Sequence, residues 1–94
     1  MKDYSELLEL IASELATACK HPEIGSFQAE FNTKGILTID WTFADYRMSV
    51  CTANLIEDTS WAALLGGNIK IPTEKALEDA LTAIRRIISD VEVI

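Results

Sequence analysis

The sequence predicts an α+β fold for residues 1–94: an N-terminal helix, an antiparallel β-meander of four to five strands and a C-terminal helix, with both helices on one face of the sheet. Apolar residues recur at helical spacing near both ends of the chain. Between these segments they alternate with polar residues at period two. Ninety-four residues are enough for one buried core and too few for two, so we expect a single domain.

The first helix is predicted over residues 4–19. Asp3 is placed to cap its N-terminus, and Glu6, three residues later, can return the hydrogen bond. Pro22 prevents the helix from continuing. The apolar residues fall on one stripe that we expect to face the core, namely Tyr4, Leu7, Leu8, Ile11, Leu15 and Ala18.

Three alternating runs follow, and the turns between them predict how they pair. A three-residue loop with Gly35 in the left-handed conformation pairs Phe31 with Leu37. A two-residue loop pairs Phe43 with Tyr46. Both registers collect the large apolar residues on one face, whereas a slip by one residue would scatter them.

The second register also predicts pairs farther along the two strands, and the alternation predicts which residues lie on the opposite face of the sheet. The register pairs Trp41 with Met48 and Ile39 with Val50. The opposite face should meet water or a polar partner, and it is predicted to carry Gln28, Glu30, Thr38, Asp40, Thr42, Arg47, Ser49 and Cys51.

The segment SWAALLGGNIKIP, residues 60–72, is predicted to form another hairpin, with a short helix followed by a strand as the alternative. A turn on the two glycines pairs Ala62 with Ile71 and directs Trp61 and Leu65 away from the helices. A bulge within residues 52–60 would instead return Trp61 to the core. Whether the loop before the hairpin has an even or an odd number of residues decides between these two orientations of Trp61.

The second helix is predicted over residues 73–90. Thr73 is a plausible N-cap, and Arg85 and Arg86 come late, where basic side chains favour the helix dipole. Its apolar stripe consists of Leu77, Leu81, Ile84, Ile88 and Val91, with Ala80 and Ile87 at the edges.

The net charge of −7 narrows the classes of partner. It disfavours direct binding of nucleic acid or an anionic membrane, and it suits a basic partner protein. The N-terminal residues lack the pattern of a signal peptide, and no apolar run is long enough to span a bilayer. We therefore expect a cytoplasmic protein.

The sequence contains little that predicts catalysis. His21 is the one histidine, and neither a base nor a third ligand stands at a recognisable spacing from it. Cys19 and Cys51 lack the spacing of a zinc site or a disulfide framework. We expect no catalytic, cofactor-binding or metal-binding residues, and a small enzyme using His21 is the least favoured hypothesis.

Protein binding is the function that remains. An exposed aromatic and aliphatic pair rimmed by charge is typical of a binding surface. The candidate partner-binding residues are Trp61, Leu65, Glu30, Asp40, Glu57 and Asp58.

Two hypotheses of different class follow from these residues. The first is a non-enzymatic module whose acidic surface occupies a basic site on a partner protein, as an immunity protein or a phage-type inhibitor of a nuclease or defence complex would. The second is a dimeric adaptor or secretion-type chaperone that binds an extended segment at the sheet. Uncovered sheet edges also make a homodimer possible.

Overall fold

A computed structural model describes residues 3–64 and 67–92, and it has the predicted α+β architecture. A short 3₁₀ helix, Pro22–Ile24, separates the first helix from the first strand. In chain order the helices and strands are α1 (Ser5–Ala18), β1 (Ser26–Phe31), β2 (Ile36–Phe43), β3 (Tyr46–Asn54), β4 (Ser60–Leu64), β5 (Gly67–Ile71) and α2 (Thr73–Glu92).

The strands form two hydrogen-bonded sheets where the sequence predicts one meander. One sheet has the order β1-β2-β3, and the other consists of β4 and β5; all pairs are antiparallel. Within the described residues β3 and β4 are not joined by a ladder. The loop from 55 to 59 therefore connects two sheets, and it is not a hairpin turn within one.

The two predicted turns of the first sheet are confirmed. Phe31 pairs with Leu37, and Gly35 has a φ of 84°. A β-carbon at Gly35 would also collide with Ile56, so this position needs glycine for its conformation and for space. Phe43 pairs with Tyr46 across the second turn.

A β-bulge changes the register inside β3. Trp41 pairs with Met48 as predicted, but Ile39 pairs with Cys51 and not with Val50. One extra residue in β3 therefore lies between these two pairs, which reverses the faces of the residues beyond it. Cys51, predicted on the polar face, is consequently buried in the core, where it is 4% exposed.

The second hairpin is confirmed, with a register two residues from the predicted one. Ala62 pairs with Ile69, where the sequence suggested Ile71, and Leu64 pairs with Gly67. Gly67, which the sequence places in the turn, is thus the first residue of β5, and residues 65–66 lie outside the described residues. A shift of two preserves the faces, so Trp61 still points to the side opposite Ala62.

Both helices contribute to one core with the larger sheet. The predicted stripe of α1 supplies buried or partly buried residues along its whole length. Glu14 of α1 and Arg85 of α2 form an ion pair of 3.2 Å at the surface where the helices meet. The buried apolar residues are Tyr4, Ile11, Ala18, Ile24, Ile39, Cys51, Ala53, Ala76, Leu77, Ala80, Leu81, Ile84 and Ile88.

A buried polar network joins the end of β3 to the starts of β4 and α2. The Asn54 amide donates to Ser60 Oγ at 3.0 Å, and Ser60 Oγ lies 2.8 Å from Thr73 Oγ1. Thr73 Oγ1 in turn donates to the Asn54 carbonyl at 2.8 Å. Because each hydroxyl has partners, the cost of burying these groups is offset, and the three elements are held at one point.

Candidate protein-binding surface

Three aromatic residues at the end of the β2–β3 hairpin form what we call the aromatic cluster: Trp41, Phe43 and Tyr46. The Trp41 and Phe43 rings are stacked, with centroids 6.1 Å apart and 9° between their planes. Tyr46 meets Trp41 edge to face at 5.9 Å. Both geometries are favourable for aromatic pairs, so the cluster has a defined shape.

Contacts beneath the cluster hold Trp41 in place. Its indole Nε1 donates to the carbonyl of Ile24 at 2.8 Å, which ties the hairpin to the 3₁₀ helix. Gly25 follows with a φ of 103°, and a β-carbon there would collide with the Thr42 carbonyl and meet Trp41. Glycine at 25 thus allows the close approach that positions the tryptophan.

The outer rings of the cluster are open to solvent. Phe43 is 47% exposed and Tyr46 is 57% exposed, while Trp41 is half-buried. The turn between them contains Asp45, which is also exposed. The result is an ordered, partly exposed aromatic surface beside an acidic turn, and tryptophan and tyrosine are enriched in binding hot spots.

Sequence reasoning assigned these aromatic residues to the core face, and it missed their exposure. They do share a face of the sheet with the buried Ile39, as the alternation predicts. Alternation reports which face a side chain takes, but not how far along a strand the helices cover that face. Three aromatic residues within six positions around a two-residue turn were the available signal, because hairpin tips lie at the surface.

Two of the predicted binding residues, Glu30 and Asp40, lie on the polar face of the larger sheet. Asp40 accepts a hydrogen bond from Arg47 at 2.8 Å. That bond, the charge of Asp40 and the charge of Glu30 together hold the pKa of Arg47 above its usual value. The guanidinium therefore compensates part of the negative charge of this face.

The other two acidic candidates, Glu57 and Asp58, lie in the loop between the sheets. Both are exposed. The hydroxyl of Tyr4 donates to the Asp58 carboxylate, which links this loop to the start of α1. Asp58 thus has a structural contact within the chain, and the loop lies at the far end of β3 from the aromatic cluster.

Trp61 is half-buried, neither in the core nor fully exposed. It pairs with Lys70 across the second hairpin. Its side chain lines a groove of about 580 Å³, the β3–β4 groove, together with residues of β3, β5 and α2. Leu65, the companion predicted for Trp61, lies outside the described residues.

Of the residues considered for catalysis, His21 and Cys19 are apart from these surfaces, whereas Cys51 lines the β3–β4 groove. His21 Nδ1 lies 3.1 Å from the Glu23 carboxylate in the turn after α1. Cys19 is exposed, whereas burial raises the pKa of the Cys51 thiol to about 11 and disfavours the reactive thiolate. Over residues 3–64 and 67–92, no three His, Cys, Asp or Glu side chains are grouped to hold a metal ion.

Neither of the described helices is both long enough and apolar enough to cross a bilayer. Comparison of the chain with protein-family models, with curated proteins and with solved structures finds no match.

Proposed function

We propose that this protein is a non-enzymatic binding module that docks through the aromatic cluster onto a basic surface of a partner protein. The observation that carries the proposal is the exposure of Phe43 and Tyr46 on a cluster already ordered by stacking and by the Trp41–Ile24 hydrogen bond.

The energetics favour such a surface as a docking site. An aromatic side chain buries 150–250 Å² when fully covered, so covering the exposed half of each outer ring is worth roughly 2 kcal/mol per ring. The rings are held by neighbouring contacts, and less conformational entropy is lost when a partner covers them.

The charge of the chain supports a basic partner. The net charge is −7, and Asp45 is an exposed acidic residue in the turn between Phe43 and Tyr46. Opposite charge on a partner would accelerate association and orient it. Inhibitors that occupy a basic site, such as an immunity protein or a phage-type inhibitor of a nuclease or defence complex, belong to this class.

Two finer expectations accompany this proposal. We take both helices to lie on one face of the larger sheet, since Ile39, Cys51 and Ala53 share a core with them. We also place the protein in the cytoplasm, since both cysteines are free, as is usual in a reducing compartment.

The test is affinity capture from the native host with the unchanged protein, the double variant Phe43→Ala/Tyr46→Ala and the control Phe31→Ala. Phe31 is 63% exposed on the same sheet but lies at the other end of β1. We expect a specific partner with a basic surface, lost in the double variant, retained in the control and released by salt. Equal capture by all three proteins would contradict the proposal. A dimer in sedimentation that the double variant abolishes would instead assign the cluster to a second copy of the chain.

A further inference from the structure

The β3–β4 groove lies between the edges of two strands. Its lining includes four successive residues of β3, Ser49–Thr52, and two successive residues of β4, Trp61 and Ala62. Cys51 and Thr52 lie on opposite faces of β3, and Trp61 and Ala62 lie on opposite faces of β4, so a cavity lined by both members of each pair lies against the edges of the strands.

The backbone at these edges has no strand partner among the described residues. β3 pairs only with β2, and β4 pairs only with β5. Every second residue of an antiparallel edge strand directs its N–H and C=O groups away from its one neighbour. The groove is therefore bordered on two sides by backbone donors and acceptors.

A hydrogen bond between β3 and β4 closes one end of the groove, and helix α2 forms a further wall. The hydrogen bond from the Asn54 amide to Ser60 Oγ joins β3 to β4 at the end of the groove. Ala76 and Asp79 of α2 also line it, so it is a recess built by two sheets and a helix.

We propose that the β3–β4 groove binds an extended segment of a partner protein, which adds as a strand to β3, β4 or both. The unpaired edges identify this occupant, because an extended backbone is the ligand that complements rows of N–H and C=O groups. This site is separate from the aromatic cluster, and the proposal does not depend on the function proposed for that cluster.

The size of the groove agrees with such a segment. A strand within a layered sheet occupies about 4.8 Å by 10 Å in cross-section and advances about 3.3 Å per residue. A volume of about 580 Å³ thus holds about three to four residues, which matches the four residues of β3 along its wall.

The lining also specifies the side chains of the bound segment. Trp61, Ala62 and Ile71 offer apolar contacts, and Asp79, whose carboxylate lies 3.1 Å from Lys75, is also among the lining residues. With the acidic charge of the chain, this favours a segment in which apolar residues alternate with Lys or Arg.

The experiment begins with a displayed library of random ten-residue peptides selected against the unchanged protein. Selected peptides are synthesised in three forms, one unmodified and two with every second backbone amide N-methylated, starting from either the first or the second residue. The protein is labelled with 5-fluorotryptophan, which gives one fluorine signal each for Trp41 and Trp61, the two tryptophans of the chain. The variant Trp61→Phe assigns the signals.

We expect the unmodified peptides to shift the Trp61 signal and leave the Trp41 signal in place. N-methylation in the register that blocks the edge contacts should weaken binding by roughly tenfold or more, because at least two backbone hydrogen bonds are lost. Trp61→Ala should weaken binding, while Ile69→Ala should not, because Ile69 is exposed on the same hairpin and is not among the residues that line the groove.

Three outcomes would overturn the proposal: a library without enriched sequences, enriched peptides whose binding is weakened by neither N-methylation register, or a shift confined to Trp41. A shift of Trp61 that grows with protein concentration alone, together with a dimer in sedimentation, would assign the groove to a second copy. Capture of a partner by the aromatic cluster is scored separately with Phe43→Ala, so either proposal can fail without the other.

Discussion

Ser60 and Thr73, which are 13 positions apart, are both fully buried, and their hydroxyl oxygens lie 2.8 Å from each other. Through Asn54 this contact joins both sheets to the start of the second helix. The junction is polar, so its stability depends on every group keeping a partner.

Thr73→Val should therefore be strongly destabilising although it preserves the shape of the side chain. The substitution removes the Thr73 hydroxyl from the Asn54 carbonyl and from Ser60 Oγ, which keeps only the Asn54 amide as a partner, at a cost of about 1–3 kcal/mol. Unfolding in urea measures this loss as a decrease in the free energy of unfolding. The same change at Thr42, an exposed position in β2, should have little effect, and equal losses at both sites would contradict a special role for the junction.

Gly35→Ala should destabilise the protein by about 1–3 kcal/mol, because the new β-carbon combines a strained φ with a collision at Ile56. Gly67 provides the matched control. A β-carbon there meets nothing within 4 Å, so Gly67→Ala should be close to neutral. Thermal unfolding of the two variants compares them, and a neutral Gly35→Ala would refute the left-handed loop.

Cys51 should make the protein less stable at alkaline pH. The thiol has a pKa of about 11 when folded, against 9.0 ordinarily, so the unfolded chain loses its proton first as the pH rises. The contribution of this thiol to the free energy of unfolding is fully present below pH 9 and is lost between pH 9 and 11. The expected loss from pH 8 to pH 10 is about 1.4 kcal/mol.

The variant Cys51→Ala isolates this effect in urea unfolding at the two pH values. It should show a smaller loss of stability from pH 8 to 10 than the unchanged chain. Cys19→Ser, at an exposed position, should behave like the unchanged chain. Identical pH dependence in all three proteins would be inconsistent with a buried neutral thiol at position 51.

Tyr46→Ala should cost less than about 1.5 kcal/mol of stability, because more than half of the side chain is already exposed. Ile39→Ala, which empties a position only 1% exposed, should cost about 2–5 kcal/mol. Urea titrations of both variants give the comparison. A loss at Tyr46 as large as that at Ile39 would mean that the aromatic cluster serves the fold and not a partner.

Sequence patterns predicted most of the fold because the turns and the alternation agree in this chain. The pairings of Phe31 with Leu37 and of Trp41 with Met48 follow from loop length alone. The bulge in β3 could not be predicted, because Ser49, Val50 and Cys51 are compatible with either face. The misplacement of Cys51 is a direct consequence.

The candidate site was harder to predict than the fold. The aromatic residues were assigned to the correct face, but their exposure depends on how far the helices extend over the sheet, which is a tertiary property. The β3–β4 groove depends on two strands that fail to pair, whereas the sequence favoured one continuous meander. Only Trp61 was identified beforehand as a candidate, and it does line the groove.

The bulge in β3 has a consequence for how this hairpin can vary among related chains. On one side of it Ile39 and Cys51 are packed in the core, and on the other Trp41 and Met48 begin an arm that ends at the turn. Insertions or deletions of two residues in each strand of that arm would preserve the faces of both strands and leave the core packing intact. The arm can therefore lengthen or shorten in evolution while the body of the protein stays the same.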